Sequence, residues 1–153
     1  MKKYEFTDEV KEYPGVCLKR IKALRDINGV CKKGDLGGFI ENEKNLNVSG
    51  NAWVYGNAQV YGDAWVYGDA QVYGGARVYG DAQVESIRDI ICIGPIGSRN
   101  AYTTFLRNKD LVFCGCWSGT LGGFEKRVKE THKGNTHYLN EYLGAIRYIK
   151  SLK

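Results

Sequence analysis

From Val48 onward, apolar and polar positions recur every six residues. The hexads VSGNAW, VYGNAQ, VYGDAW, VYGDAQ, VYGGAR and VYGDAQ follow one another and close on Val84. A helix would repeat its apolar positions every three to four residues and would tolerate few glycines, so this period predicts strands. In an extended chain successive side chains point to opposite faces. With Ala and Val inward, the residue between them and the following Tyr point outward. Gly followed by Asp, Asn or Gly then turns a corner, because these residues accept left-handed backbone conformations. Three short strands and three corners close a triangle of eighteen residues, so position n stacks on n+18. Val48 then lies below Val66 and Val84, Val54 below Val72, and Val60 below Val78, with stacked strands about 4.8 Å apart.

The phase extends upstream in weaker form. Leu36–Glu41 and Asn42–Asn47 keep the six-residue spacing, with Ile40 and Leu46 at the inward fifth position. The open ends of so short a stack need covering segments. Residues 16–33 read as one: a strand-like run from Val16 to Ile27, a turn at Asn28-Gly29, and a return through Val30-Cys31-Lys32. After Val84 the pattern changes. Ile90–Ile93 reads as a buried strand, Gly94–Asn100 as a loop, and Tyr102–Arg107 and Leu111–Trp117 as two further strands. Thr120 is placed to cap a helix over 121–132, and Thr136 one over 137–151, where Tyr138, Tyr142, Ala145 and Ile149 fall on one face.

The central pattern resembles the hexapeptide-repeat family, which places an aliphatic at the first position and a small residue at the fifth. Val48, Val54, Val60, Val66, Val72 and Val78 match the first, and Ala52, Ala58, Ala64, Ala70, Ala76 and Ala82 the fifth. Tyr stands where the family usually carries Gly or an acidic residue. Residues 18–84, through Ala23-Leu24-Arg25-Asp26, Lys33–Glu41 and the hexads, also resemble small hexapeptide-like proteins of bacteriophages and prophages. The resemblance implies a homotrimer. The fold expected is mainly β: an N-terminal β-hairpin cap over 1–35, a short left-handed parallel β-helix over 36–89, and a C-terminal α+β unit over 90–153 ending in two helices. Trp53, Tyr55, Tyr61, Trp65, Tyr67, Tyr73 and Tyr79 would all stand on the outside of the coils. An aromatic surface of that size marks an interface, between subunits or under the terminal segments.

Charge adds one distinction. The net charge of +5 divides into +2 over residues 1–47, −3 over 48–93 and +6 over 94–153. A basic C-terminal unit favours anionic partners. No long Lys/Arg run is present, which argues against nucleic acid. No apolar run reaches membrane-spanning length. The charged start lacks the apolar core of a secretory signal, and five cysteines at irregular spacing make a poor disulfide framework. Together these lead to the expectation of a cytoplasmic protein.

The best binding candidate is the loop Gly94-Pro95-Ile96-Gly97-Ser98-Arg99-Asn100 with Tyr102-Thr103-Thr104 after it. Glycines let backbone N–H groups turn toward an anion. Arg99 offers a two-pronged grip on phosphate or carboxylate, Ser98, Thr103 and Thr104 offer hydroxyls, and Tyr102 or Trp117 could stack on a base. The equally simple reading is a tight connection between strands. Catalytic signatures are missing: no phosphate-binding P-loop, no nucleophile elbow and no zinc-protease helix occurs. Hexapeptide acyltransferases use a histidine base in or beside the coils, whereas His132 and His137 both lie in the helical region. Cys114 and Cys116 with those histidines lack the spacing of a structural zinc site and read as small hydrophobes sharing one strand face. The expectation is therefore a non-enzymatic homotrimer without cofactor or metal. It would sequester a small anionic ligand; the resemblance to phage proteins implies a cyclic or linear nucleotide signal of bacterial antiviral immunity. The alternatives are a module that inhibits a host enzyme by protein–protein contact and, less favoured, an acyltransferase.

Overall fold

The N-terminal residues build a hairpin from β1 (Tyr4–Tyr13) and β2 (Val16–Ala23), with Tyr4 opposite Ala23 and Tyr13 opposite Val16. In this computed structural model, which describes residues 1–153, the turn falls at Pro14-Gly15, where Gly15 takes a φ of 80°. The hairpin expected over 16–33 is thus displaced. Asn28-Gly29 closes only a small loop with one antiparallel bridge, Ile27 to Cys31. The partner of β2 was hidden because β1 carries Glu5, Asp8, Glu9, Lys11 and Glu12. Such charges suit an edge strand, which must resist pairing with other chains. On its other side β2 pairs antiparallel with β3 (Leu36–Ile40), Lys19 opposite Ile40 and Arg20 opposite Phe39.

The hexads form two-residue strands: β4 (Trp53–Val54), β5 (Gln59–Val60), β6 (Trp65–Val66), β7 (Gln71–Val72), β8 (Arg77–Val78) and β9 (Gln83–Val84). All pair in parallel. Val54 lies beside Val72, Val60 beside Val78 and Val66 beside Val84, each eighteen residues on. Tyr55, Tyr61 and Tyr67 donate their N–H groups to the carbonyls of Val72, Val78 and Val84 at 2.8, 3.0 and 2.9 Å. The six alanines from Ala52 to Ala82 and the six valines from Val54 to Val84 are fully buried. Each buried valine contributes about 1.5–3 kcal/mol. At the corners the backbone runs left-handed. Gly68, at φ +63°, shows why side chains are excluded: a Cβ there would sit 2.4 Å from the Glu85 carbonyl.

Upstream of the hexads the offset changes. Ile40 lies beside Val60, and Leu46 bridges to Val66, each twenty residues on. Both therefore occupy the valine position, not the fifth position expected for them. Val48, expected below Val66, is half-buried and out of the stack. The two extra residues sit in the corner between Leu46 and Val54. The chain start holds that corner. The Lys3 N–H donates to Val48 O at 3.2 Å, and the Lys3 ammonium donates to Ser49 O at 2.9 Å. In place of a strand, the buried Asn45 side chain donates to Gly62 O at 3.1 Å and Ala64 O at 2.8 Å.

The aromatics expected outside the coils do not share one environment. Trp53 is 1% exposed within the single chain, so it has no surface left for another subunit and leaves the interface set. Beside it, the Tyr55 hydroxyl donates to Val30 O at 3.2 Å. Tyr61 stacks on Tyr79 at 5.0 Å and Trp65 on Tyr67 at 4.0 Å. Trp65 and Tyr73 remain 40% and 39% exposed.

The chain divides into two compact units, residues 1–90 and 91–153. The second carries a four-stranded sheet in the order β10 (Ile90–Ile96), β11 (Ala101–Leu106), β12 (Leu111–Cys114), β13 (Trp117–Gly119), followed by α1 (Leu121–Thr131) and α2 (Thr136–Ser151). Phe105, Val112, Phe124, Val128, Ile146 and Ile149 form its core. Thr120 caps α1 by accepting from Gly123 N at 3.1 Å. Asn135, and not Thr136, caps α2, accepting from Tyr138 N at 3.2 Å. The single strand expected over 111–117 is two, because Gly115 at φ 60° turns the chain and pairs Cys114 with Trp117. Cys116 therefore sits exposed at a turn and does not share a strand face with Cys114. No helix is long and apolar enough to cross a membrane.

Candidate functional site

The turn after β10 places the first arginine. Gly97 is buried at φ +75°, and the Asn100 N–H closes the turn on Gly97 O at 3.1 Å. The Gly97 N–H donates to Glu141 Oε2 at 2.6 Å. That carboxylate fills the place a bound anion would take, so this N–H is not available to a ligand. A Cβ on Gly97 would fall 2.3 Å from the Tyr142 hydroxyl oxygen, which explains the glycine. Ser98, Arg99 and Asn100 are exposed on the turn.

Of the residues expected to bind, Arg99 and Trp117 come together at one pocket of ≈ 90 Å³. The others do not line it. Thr103 and Thr104 are each 1% exposed, and the Thr103 hydroxyl donates to the Cys114 sulfur at 3.6 Å. Tyr102 is half-buried on β11, and Ser98 and Asn100 stay on the turn.

The helices supply the rest of the pocket. Phe124, Arg127, Val128 and Thr131 reach it from α1, at the i, i+3, i+4, i+7 spacing of one helix face. His132, at the end of α1, stacks on Tyr142 of α2 at 5.1 Å and 20°. Arg127 sits with its guanidinium carbon 6.0 Å from the Trp117 ring centre. Burial, with the hydrogen-bonded Cys114 sulfur next in importance, raises the Tyr142 hydroxyl above its ordinary pKa; the Arg99 charge acts in the opposite direction. The Tyr142 hydroxyl stays protonated at neutral pH. His137 lies elsewhere on α2, 3.3 Å from Glu141. No Asp or Glu lines the pocket.

The site thus combines two guanidiniums and an imidazole with an aromatic wall. Chemically it can hold an anion and pack a flat apolar group. No group of three or more His, Cys, Asp or Glu side chains is placed to hold a metal ion. The sequence reading missed Arg127, His132 and Tyr142. The one signal available was the face of α1 that carries Phe124 and Val128, since an arginine between two core positions lies at the rim of what they cover.

Two overlapping segments of the repeat, residues 58–74 and 70–86, match the model of the YdcK beta solenoid repeat family. The chain is similar to that family over these residues, which lie outside the pocket-bearing unit. No curated protein matches the chain.

Proposed function

We propose that this chain is a non-enzymatic binding protein whose C-terminal unit captures a small anionic ligand, with nucleotides as the leading class. One observation carries the reading: Arg99, Arg127 and His132 converge on a single small pocket that no carboxylate lines. Guanidinium groups keep their charge at all physiological pH and suit phosphate and carboxylate geometry. The Cys114 sulfur accepts from the Thr103 hydroxyl at 3.6 Å. In its most concrete form the ligand is a nucleotide signal of antiviral immunity.

In the same reading the repeat winds as a left-handed, three-sided β-helix and assembles as a homotrimer. The six-residue strand spacing and the eighteen-residue parallel offset support the winding. The exposed Trp65 and Tyr73 support the assembly. A second reading, a module that binds a host protein, rests on the same exposed pair.

Native mass spectrometry of the full chain, alone and with a panel of linear and cyclic nucleotides, tests both parts. A trimer that gains one nucleotide mass per chain, and loses it in Arg127→Ala, is expected. A monomer, or a trimer that takes up none of the panel, would overturn the corresponding part.

A further inference from the structure

We infer that the pocket of the C-terminal unit encloses a terminal phosphomonoester and excludes an internal phosphodiester, an inference that rests on the anion-binding reading above. Size is the first argument. Pockets that enclose a whole ligand run to roughly 300–1,000 Å³. A volume of ≈ 90 Å³ admits only a head group, so the remainder of the ligand lies outside. A phosphomonoester carries one substituent, which can leave through the mouth. A diester carries two, and both would have to leave through the same small mouth beside the arginines.

Charge is the second argument. Arg99 and Arg127 supply two fixed positive charges, while the nearby Glu141 carboxylate is taken by the Gly97 N–H and lies outside the lining. A phosphomonoester carries about −1.5 to −2 charges at neutral pH and presents three acceptor oxygens. A diester carries one charge and two free oxygens. Two guanidinium forks have enough donors for three oxygens and leave donors unused on two.

The wall fixes the rest of the ligand. Trp117 is half-buried between Arg127 and Phe124, and the part of its indole left exposed borders the pocket where a flat substituent would leave. The class recognised is therefore an aromatic or nucleoside monophosphate bound by its terminal phosphate. A cyclic diester nucleotide has no such terminus.

Isothermal titration of the full chain at fixed ionic strength with phenyl phosphate, diphenyl phosphate and benzoate tests this. Phenyl phosphate is expected to bind at least about tenfold more tightly than either of the others, and Arg127→Gln to lose about tenfold or more of that affinity. Diphenyl phosphate binding as tightly as phenyl phosphate would overturn the exclusion of diesters. Benzoate binding as tightly would overturn the choice of phosphate, while leaving the anion-binding reading intact. Binding of none of the three would overturn that reading as well. Circular dichroism of Arg127→Gln, whose side chain is exposed, separates lost binding from lost fold.

Discussion

Lys3 is fully buried, and replacing it with Met should make the protein more stable at neutral pH. The ammonium has one acceptor, Ser49 O at 2.9 Å. Burial is the main reason its pKa falls from 10.5 to about 8; the Arg25 charge lowers it further and Cys31 acts in the opposite direction. Below pH 8 the lysine is protonated in both folded and unfolded chains, and the folded chain bears the cost of holding the charge. At ~1.4 kcal/mol per unit, the drop to about 8 corresponds to about 3 kcal/mol. Met replaces it without charge but leaves Ser49 O without its donor, which costs about 1–3 kcal/mol. The net gain expected for Lys3→Met at pH 7 is therefore about 0.5–2 kcal/mol. The sign of the pH dependence follows. Between pH 8 and 10.5 the unfolded chain binds more protons at this position, so the lysine's contribution to stability rises with pH. The advantage of the variant should shrink across that window and vanish or reverse near its top. The assay is urea unfolding at pH 7, 8, 9 and 10. Both chains should carry Cys31→Ser, because the Cys31 thiol is coupled to Lys3 and its own pKa is raised by burial. Tyr4, pushed up mainly by burial, has the opposite slope above its unfolded value, and it cancels in the difference between the two chains. A variant less stable at pH 7, with a gap that does not change up to pH 10, would refute the reasoning.

Two further substitutions test the packing. Gly97→Ala forces a side chain into left-handed backbone and into the Tyr142 hydroxyl; it should cost about 1–2 kcal/mol in thermal or urea unfolding and weaken anion binding with it. Gly38→Ala would bring a Cβ within 2.6 Å of the Ala58 carbonyl and of a Val54 methyl, so about 1–3 kcal/mol of destabilisation is expected in the same assay, with ligand affinity unchanged.

The repeat was legible from Val54 onward because every hexad uses the same few residues for the same purposes. The slip upstream was not. Ile40 and Leu46 are themselves six residues apart, so the phase looks unbroken until pairing shows that each has moved to the valine position. The insertion lies in a corner, where spacing carries no side-chain period. In the C-terminal unit Arg99 and Trp117 could be read from residue type and loop context. The rest of the site depends on long-range approach. Glu141 occupies the Gly97 N–H from forty-four residues away, and no local pattern announces that contact. The hydroxyls of Thr103 and Thr104 suit an anion, but the strand they occupy is buried.

The change of offset from eighteen to twenty residues also limits how the chain can grow. Where the offset is eighteen, one rung repeats the next, and a duplicated stretch of that length, placed between Val60 and Val78, could be accommodated as another rung of the same kind. Across Leu46 to Val54 such a copy would reproduce the odd corner as well, and only one Lys3 exists to hold it. The stack is thus extensible in its middle and closed at its beginning. Its height can vary by whole rungs while the strap at its base stays fixed.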